Sequence, residues 1–167
     1  SVAEMMKQAL AKYGQVDVLF NGAGVMTRIP VIDMPEEEWD RVQSINVKGV
    51  FFCTKHAVPL LRKAGGGSII NLSSIAGRFG FPLRTPYAAA KWAVVGFTQS
   101  LAAEAGPDKV RVNCIQPGIV EGERVDRIVA AKAEQLGVAP AEVLARMVEG
   151  VRLKTTVTAQ DVANTAL

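Results

Sequence analysis

The sequence is short of the residue types that carry several kinds of specialised chemistry. It has two cysteines, Cys53 and Cys114, far apart in the chain. Two such residues build no disulfide framework, and apart from His56 beside Cys53 neither has a partner at metal-ligand spacing, so no metal site is expected. Both read as ordinary buried thiols of a protein kept in a reducing cytoplasm. His56 is the only histidine, and no Gly-x-Ser-x-Gly motif accompanies it. A hydrolase triad therefore has no support, and His56 reads as a helix-surface residue. Aromatic residues make up 6% of the chain, and the basic residues are scattered among acidic ones for a net charge of +3. A nucleic-acid surface would want a basic stripe interleaved with aromatics, so no nucleic-acid partner is expected. No apolar run approaches the roughly 18 residues that a membrane-spanning helix needs. The first residues form a helical pattern containing Glu4 and Lys7 and are not expected to be a signal peptide.

What is present is a chain of 167 residues, 49% apolar, which suits one globular domain over 1–167. Apolar residues at Val2, Met5, Met6, Ala9, Leu10 and Tyr13 have helical spacing, and Gly14 ends that helix. Val16 to Asn21 reads as a buried strand. A second helix is expected from Pro35 towards Leu61, apolar on most sides around Val50, Phe51 and Phe52 and so well buried. Ser68 to Ser73 is the next strand, Pro86 to Glu104 the third helix, and Val110 to Ile115 the third strand. Two helical segments follow between Glu121 and Gly150, broken around Gly137 and Pro140. Thr158 and Asp161 have capping-box spacing, flanked by Val157 and Val162 as a hydrophobic staple. Alternation of this kind implies an α/β fold, part of a doubly wound Rossmann-type parallel sheet with three strands and helices on both faces. Ligands of such sheets bind at the carboxyl ends of the strands. The unusual residues gather there: Asn21 to Gly24, Ser73 to Ser74, and Pro117 to Gly118.

Tyr87 and Lys91 are four residues apart near the start of a helix and share one face. A tyrosine with its usual pKa of about 10 is a poor base at neutral pH. An ammonium group within about 4–6 Å favours the phenolate, so the pair suits a proton donor and acceptor. Taken alone, such a pair also arises by chance. Ser74, at the end of a strand, can polarise a carbonyl oxygen or simply cap a turn. Asn46 lies inside a helix, where Asn is a weak choice, and reads either as a local distortion or as a polar group in a proton path. Asn21-Gly22-Ala23-Gly24 is a small-residue turn on which a flat ligand can lie against the backbone. Thr27 stands where a dinucleotide fingerprint would have its third Gly, and Gly65-Gly66-Gly67 precedes a strand and reads as a turn.

In combination and in this order, these pieces resemble the short-chain dehydrogenase/reductase family over essentially the whole chain. Asn21-Gly22-Ala23-Gly24 is similar to its Asn-Asn-Ala-Gly motif, and Asn46 within Asn-Val-Lys-Gly-Val-Phe matches its catalytic Asn. Ser74 matches the catalytic Ser, Tyr87-Ala-Ala-Ala-Lys91 the Tyr-x-x-x-Lys motif, and Pro117-Gly118 the Pro-Gly that closes over the nicotinamide. The resemblance implies a cofactor, NAD or NADP, and hydride transfer between a secondary alcohol and a carbonyl. It implies Tyr87 as proton donor, Lys91 as its support and ribose ligand, Ser74 on the substrate oxygen, and Asn46 anchoring a relay water. Asn21, Ala23, Gly24, Pro117, Gly118 and Val120 are the further cofactor-binding residues that it implies.

The family's Gly-rich turn and the strand that selects between the two cofactors have no counterpart in this sequence, nor does its closing strand. Gly122 stands where the family often has Thr. The chain is therefore expected to be the carboxyl-terminal part of such an enzyme, with an open sheet edge at its first strand. Residues 119–150 read as a substrate lid, in which Ile119, Val120, Val125, Leu136 and Leu144 suggest a partly apolar pocket. A homo-oligomer, dimer or tetramer, is expected, and the other reading of the chain is a non-catalytic remnant that acts as an oligomerisation or interaction module. Ala89, Ala93, Gly96 and Ser100, a small-residue face, would then pair between subunits or else pack within one.

Overall fold

The structure is a computed structural model that describes residues 1–167. The chain divides into two compact units, Ser1–Gln116 and Pro117–Leu167.

In the first unit, helix α1 (Val2–Tyr13) starts at Ser1, whose hydroxyl accepts from the Glu4 N–H, and stops at Gly14, which takes a φ of 82°. Strand β1 (Val18–Asn21) follows, then α2 (Glu36–Gln43), with three glutamates in its first turn where they complement the helix dipole. The helix expected to run on to Leu61 is interrupted. Residues Ser44–Lys48 form a π turn, in which the Gly49 N–H bonds to the Ser44 carbonyl, before α3 (Gly49–Lys63) resumes. Strand β2 (Gly67–Leu72), helix α4 (Thr85–Ala105) and strand β3 (Val110–Ile115) complete the unit.

The three strands are parallel in the order β1-β2-β3. Their register aligns Leu19 with Ile69 and Val112, and Asn21 with Asn71 and Cys114. Leu19, Ile69, Val110 and Val112 meet Met6 of α1, Ala57 and Leu61 of α3, and Leu101 and Ala105 of α4 in one apolar core. A fully buried side chain of this size contributes roughly 1.5–3 kcal/mol, so this layer holds the unit together.

The parallel α/β class is as the alternation implies, but the placement of the helices is narrower. Successive right-handed crossovers that step the same way across a sheet put their helices on one face. Val18 and Phe20 accordingly point away from the core and are 58% and 48% exposed, where the sequence suggested a wholly buried strand. The same geometry corrects α3. Val50, Thr54, Ala57 and Leu61 form its buried stripe, while Phe51 and Phe52, expected inside, are 44% and 45% exposed. A helix laid on one sheet buries one stripe, however apolar its other sides are.

In the second unit, α5 (Glu123–Leu136) ends at Gly137, which takes a φ of 64°, and α6 (Pro140–Val148) begins with proline in its first turn. Val129 and Ala133 pack on Val143, with Val125, Val138, Leu144 and Met147 around them. A shallow open cleft lies between the two helices, lined by Lys132, Leu136, Val143, Arg146 and Met147. Val120 pairs with Val157 in a single parallel bridge. Helix α7 (Ala159–Ala166) opens with the capping box of Thr158 and Asp161, as the spacing predicts. No helix of the chain is long and apolar enough to cross a membrane.

Candidate active site

The candidate residues of the first unit sit at the carboxyl ends of the strands. Helix α4 starts at Thr85 with Pro86 in its first turn, which presents Tyr87 and Lys91 on one face. The Lys91 side chain is buried, at 5% exposure. A buried ammonium group needs polar company, and Lys91 Nζ donates to the Leu72 carbonyl at 2.8 Å, at the end of β2. The same Nζ lies 5.6 Å from the centre of the half-buried Tyr87 ring, in cation–π geometry.

Ser73 and Ser74 continue from β2. The Ser73 hydroxyl donates to the Lys91 main-chain carbonyl at 2.8 Å. Ser74 caps the short 3-10 turn Ile75–Gly77, its Oγ accepting from the Ala76 N–H at 3.2 Å. That bond uses the oxygen as an acceptor, so the Ser74 O–H proton can still be donated. Gly77 packs so tightly under this turn that a Cβ there would lie 2.7 Å from Ser73 Oγ and 2.8 Å from the Lys91 carbonyl oxygen.

Asn46 occupies the middle of the π turn and is 1% exposed. Its side-chain amide bonds to both main-chain polar groups of one residue, Val25. Oδ1 accepts from the Val25 N–H and Nδ2 donates to the Val25 carbonyl, each at 2.8 Å. The loop after β1 is thereby clamped to the helix. A π turn inside an α-helix often marks a functional position, and here it directs an asparagine inward. A Cβ on Gly24 would come to 3.1 Å from Asn46 Oδ1 and 3.6 Å from Lys91 Nζ. Gly24, Asn46 and Lys91 therefore meet at one point, with Tyr87 across the lysine.

Of the residues that the resemblance connects with a cofactor, Ala23 and Gly24 are exposed on the turn after β1. Asn21 is placed differently. Its side chain is buried and donates to Asn71 Oδ1 at 2.8 Å and to Thr54 Oγ1 at 3.5 Å. Pro117, Gly118 and Val120 belong to the second unit, where Gly118 is exposed and Val120 forms the bridge to Val157. His56 is half-buried on α3. Burial pushes the Cys53 and Cys114 thiols up from their ordinary range, which suits unreactive packing residues.

Several partners in this site had no signal in the sequence. Val25 and Leu72 contribute main-chain atoms only, and Gly77 matters because it lacks a side chain. Ser73 stood next to Ser74 among the strand-end residues already noted, and Asn71 was a polar residue between Ile70 and Leu72 in a strand. Asn71 could have been singled out on that ground.

A sequence model of the family described as short chain dehydrogenase matches residues 1–133. The chain is 39% identical over 127 residues to the 3-oxoacyl-[acyl-carrier-protein] reductase FabG of Thermotoga maritima, covering 76% of this chain and 52% of that one. It is 50% identical over 113 residues to the trans-4-hydroxycyclohexanecarboxylate dehydrogenase of Sinomonas cyclohexanicum, covering 68% of this chain and 43% of that one. This chain thus spans about half the length of these two relatives. Among solved structures it resembles an NAD+-bound xylitol dehydrogenase, with a TM-score of 0.88 and 28% identity over 98% of this chain and 65% of that one. It also resembles ElxO with NADP bound, with a TM-score of 0.85 and 26% identity over 99% of this chain and 64% of that one. The parallel sheet and these matches agree, and the chain belongs to the short-chain dehydrogenase family.

Proposed function

We propose that this chain carries the proton-handling half of an NAD(P)-dependent oxidoreductase that interconverts a secondary alcohol and a carbonyl. The observation that carries the reading is Lys91, a buried ammonium group held between the Leu72 carbonyl and the Tyr87 ring. The donor set fits the ribose and nicotinamide end of a dinucleotide. Lys91 and Tyr87 supply polar groups there, and Gly24, without a Cβ, leaves the main chain open beside Lys91 Nζ. Ala23 and the main chain of Asn21 belong to the same wall. The bound cofactor supplies or accepts the hydride.

The residues of this chain handle the oxygen and its proton. Ser74 donates its O–H to the substrate oxygen, and its bond from Ala76 holds the hydroxyl in place. Tyr87 passes a proton to the oxygen during reduction and takes it back during oxidation. The positive charge of Lys91 stabilises the tyrosine when it carries the negative charge. Asn46 keeps the Gly24–Val25 loop against the helix, with its Oδ1 and Nδ2 both bonded to Val25. An anchoring role for a relay water falls to the main chain of its π turn. Residues 119–150 form the substrate lid. The exposed small face of α4 (Ala89, Ala93, Gly96 and Ser100) serves self-assembly, to be read by light scattering. Two unpaired cysteines suit a reducing cytoplasm.

The test is turnover of NADH or NADPH with a panel of ketones by wild type and Tyr87→Phe. The variant is expected to lose activity by roughly a hundred- to ten-thousandfold, the usual share of a general acid, while its melting transition is unchanged. Undiminished turnover in Tyr87→Phe would remove the tyrosine from the mechanism.

A further inference from the structure

Strand β2 ends in Asn71-Leu72 and Ser73 follows directly, and each of these residues is tied to helix α4. Asn71 Nδ2 donates to Thr98 Oγ1 at 2.9 Å. The Leu72 carbonyl accepts from Lys91 Nζ, and Ser73 Oγ donates to the Lys91 carbonyl, both at 2.8 Å. Thr98 passes its own proton to the Val94 carbonyl at 2.7 Å, and Asn71 Oδ1 accepts from Asn21 at 2.8 Å. Asn71 is 0% exposed, and Thr98 and Ser73 are each 4% exposed.

The Leu72–Lys91 link already belongs to the proposed proton site. The Asn71–Thr98 link does not: it lies two helical turns deeper, beside the apolar core. Apolar packing alone leaves a helix some freedom to slide along its axis. A hydrogen bond tolerates only a few tenths of an ångström before it weakens. A slip of one residue would move α4 by about 1.5 Å and break the Thr98 bond. The same slip would carry Tyr87 and Lys91 away from Ser74, which continues directly from the strand that holds Asn71.

We infer that Asn71 and Thr98 are positioning residues, a buried peg that sets the height of α4 and so the alignment of Tyr87 and Lys91 with Ser74. Neither touches the reacting atoms. The inference rests on the proposed reductase reading for its kinetic consequence, and on the hydrogen-bond chain for its structural one. Misplacement of catalytic groups by about 1 Å costs on the order of a hundredfold in rate, so the peg is expected to show in kcat.

Three variants separate positioning from mere stability. Thr98→Val keeps the shape and removes the hydroxyl, leaving Asn71 Nδ2 without its acceptor. Thr98→Ser keeps the hydroxyl. Made in an Asn21→Leu background, so that Asn21 Nδ2 is not left without Asn71 Oδ1, Asn71→Leu with Thr98→Val removes the polar pair together, an exchange that is close to neutral for stability. Thr98→Val is expected to lose kcat by roughly tenfold or more with KM nearly unchanged. Thr98→Ser is expected to restore turnover. The double variant is expected to regain the melting temperature without regaining kcat. Turnover that simply tracks the melting temperature across the three overturns the inference, as does an undiminished kcat in Thr98→Val. A wild type without turnover refutes the reductase reading instead. Amide exchange over residues 85–95 then decides: faster exchange in the double variant supports the peg, and unchanged exchange overturns it.

Discussion

Replacing Gly77 with alanine adds one methyl group where three polar atoms already crowd the space. The new Cβ would sit 2.7 Å from Ser73 Oγ, 2.8 Å from the Lys91 carbonyl oxygen and 3.1 Å from Gln116 Nε2. The glutamine amide can swing away. The Ser73 hydroxyl can rotate, but then it gives up its bond to the Lys91 carbonyl, at about 1 kcal/mol. The Lys91 oxygen is helix backbone and cannot move alone, so the turn Ile75–Gly77 must lift, and overpacking of this kind costs about 1–3 kcal/mol. The sum is a loss of roughly 2–4 kcal/mol. It should appear in urea unfolding, followed by circular dichroism, as a lower midpoint with an unchanged slope. Gly96→Ala is the control. Gly96 lies inside helix α4 with nothing within 4 Å of its added Cβ, so its midpoint should hold or rise. A Gly77→Ala midpoint equal to wild type would refute the tight packing of the turn under Ser73 and Lys91.

Two pH effects follow from groups elsewhere in the chain. Hydrogen bonds from the Thr158 main chain and hydroxyl hold the Asp161 carboxyl below its ordinary value of 3.8. A depressed folded value means that the contribution is present above the unfolded value and lost as pH falls through the folded one. Helix α7 should therefore loosen below about pH 4, a transition that Thr158→Ala should blunt when followed by NMR. Cys114 is shifted the other way, chiefly by burial, against smaller opposing effects from Thr98 and Ser73. Its contribution is fully present below the ordinary thiol value of 9.0 and lost as pH rises through the higher folded value. Stability should fall on the alkaline side, and Cys114 should alkylate slowly until denaturant is added; rapid labelling of the native chain would contradict its burial.

The elements whose sequence carries their own punctuation were legible. Helix α1 has its periodic stripe and Gly14, and α7 has Thr158 and Asp161. Tyr87 and Lys91 were legible as a pair because helical spacing alone places them on one face. The π turn was not, because a bond from Gly49 back to Ser44 depends on how α2 and α3 pack and leaves no residue pattern behind. The exposure of Phe51, Phe52, Val18 and Phe20 was hidden for a related reason: hydrophobicity says that a residue prefers burial, not which face of the sheet is covered. Main-chain partners such as Val25 and Leu72 are invisible to any reading of side chains.

The clasp between Asn46 and Val25 makes the site sensitive to a change of a single atom group. The Asn46 amide uses its oxygen as acceptor and one N–H as donor, and it meets the N–H and the carbonyl of Val25, which answer each of them. An aspartate at position 46 would have nearly the same shape but two acceptors, one of them aimed at the Val25 carbonyl oxygen. Loss of the side-chain amide nitrogen by slow hydrolysis would thus turn the clasp into a wedge.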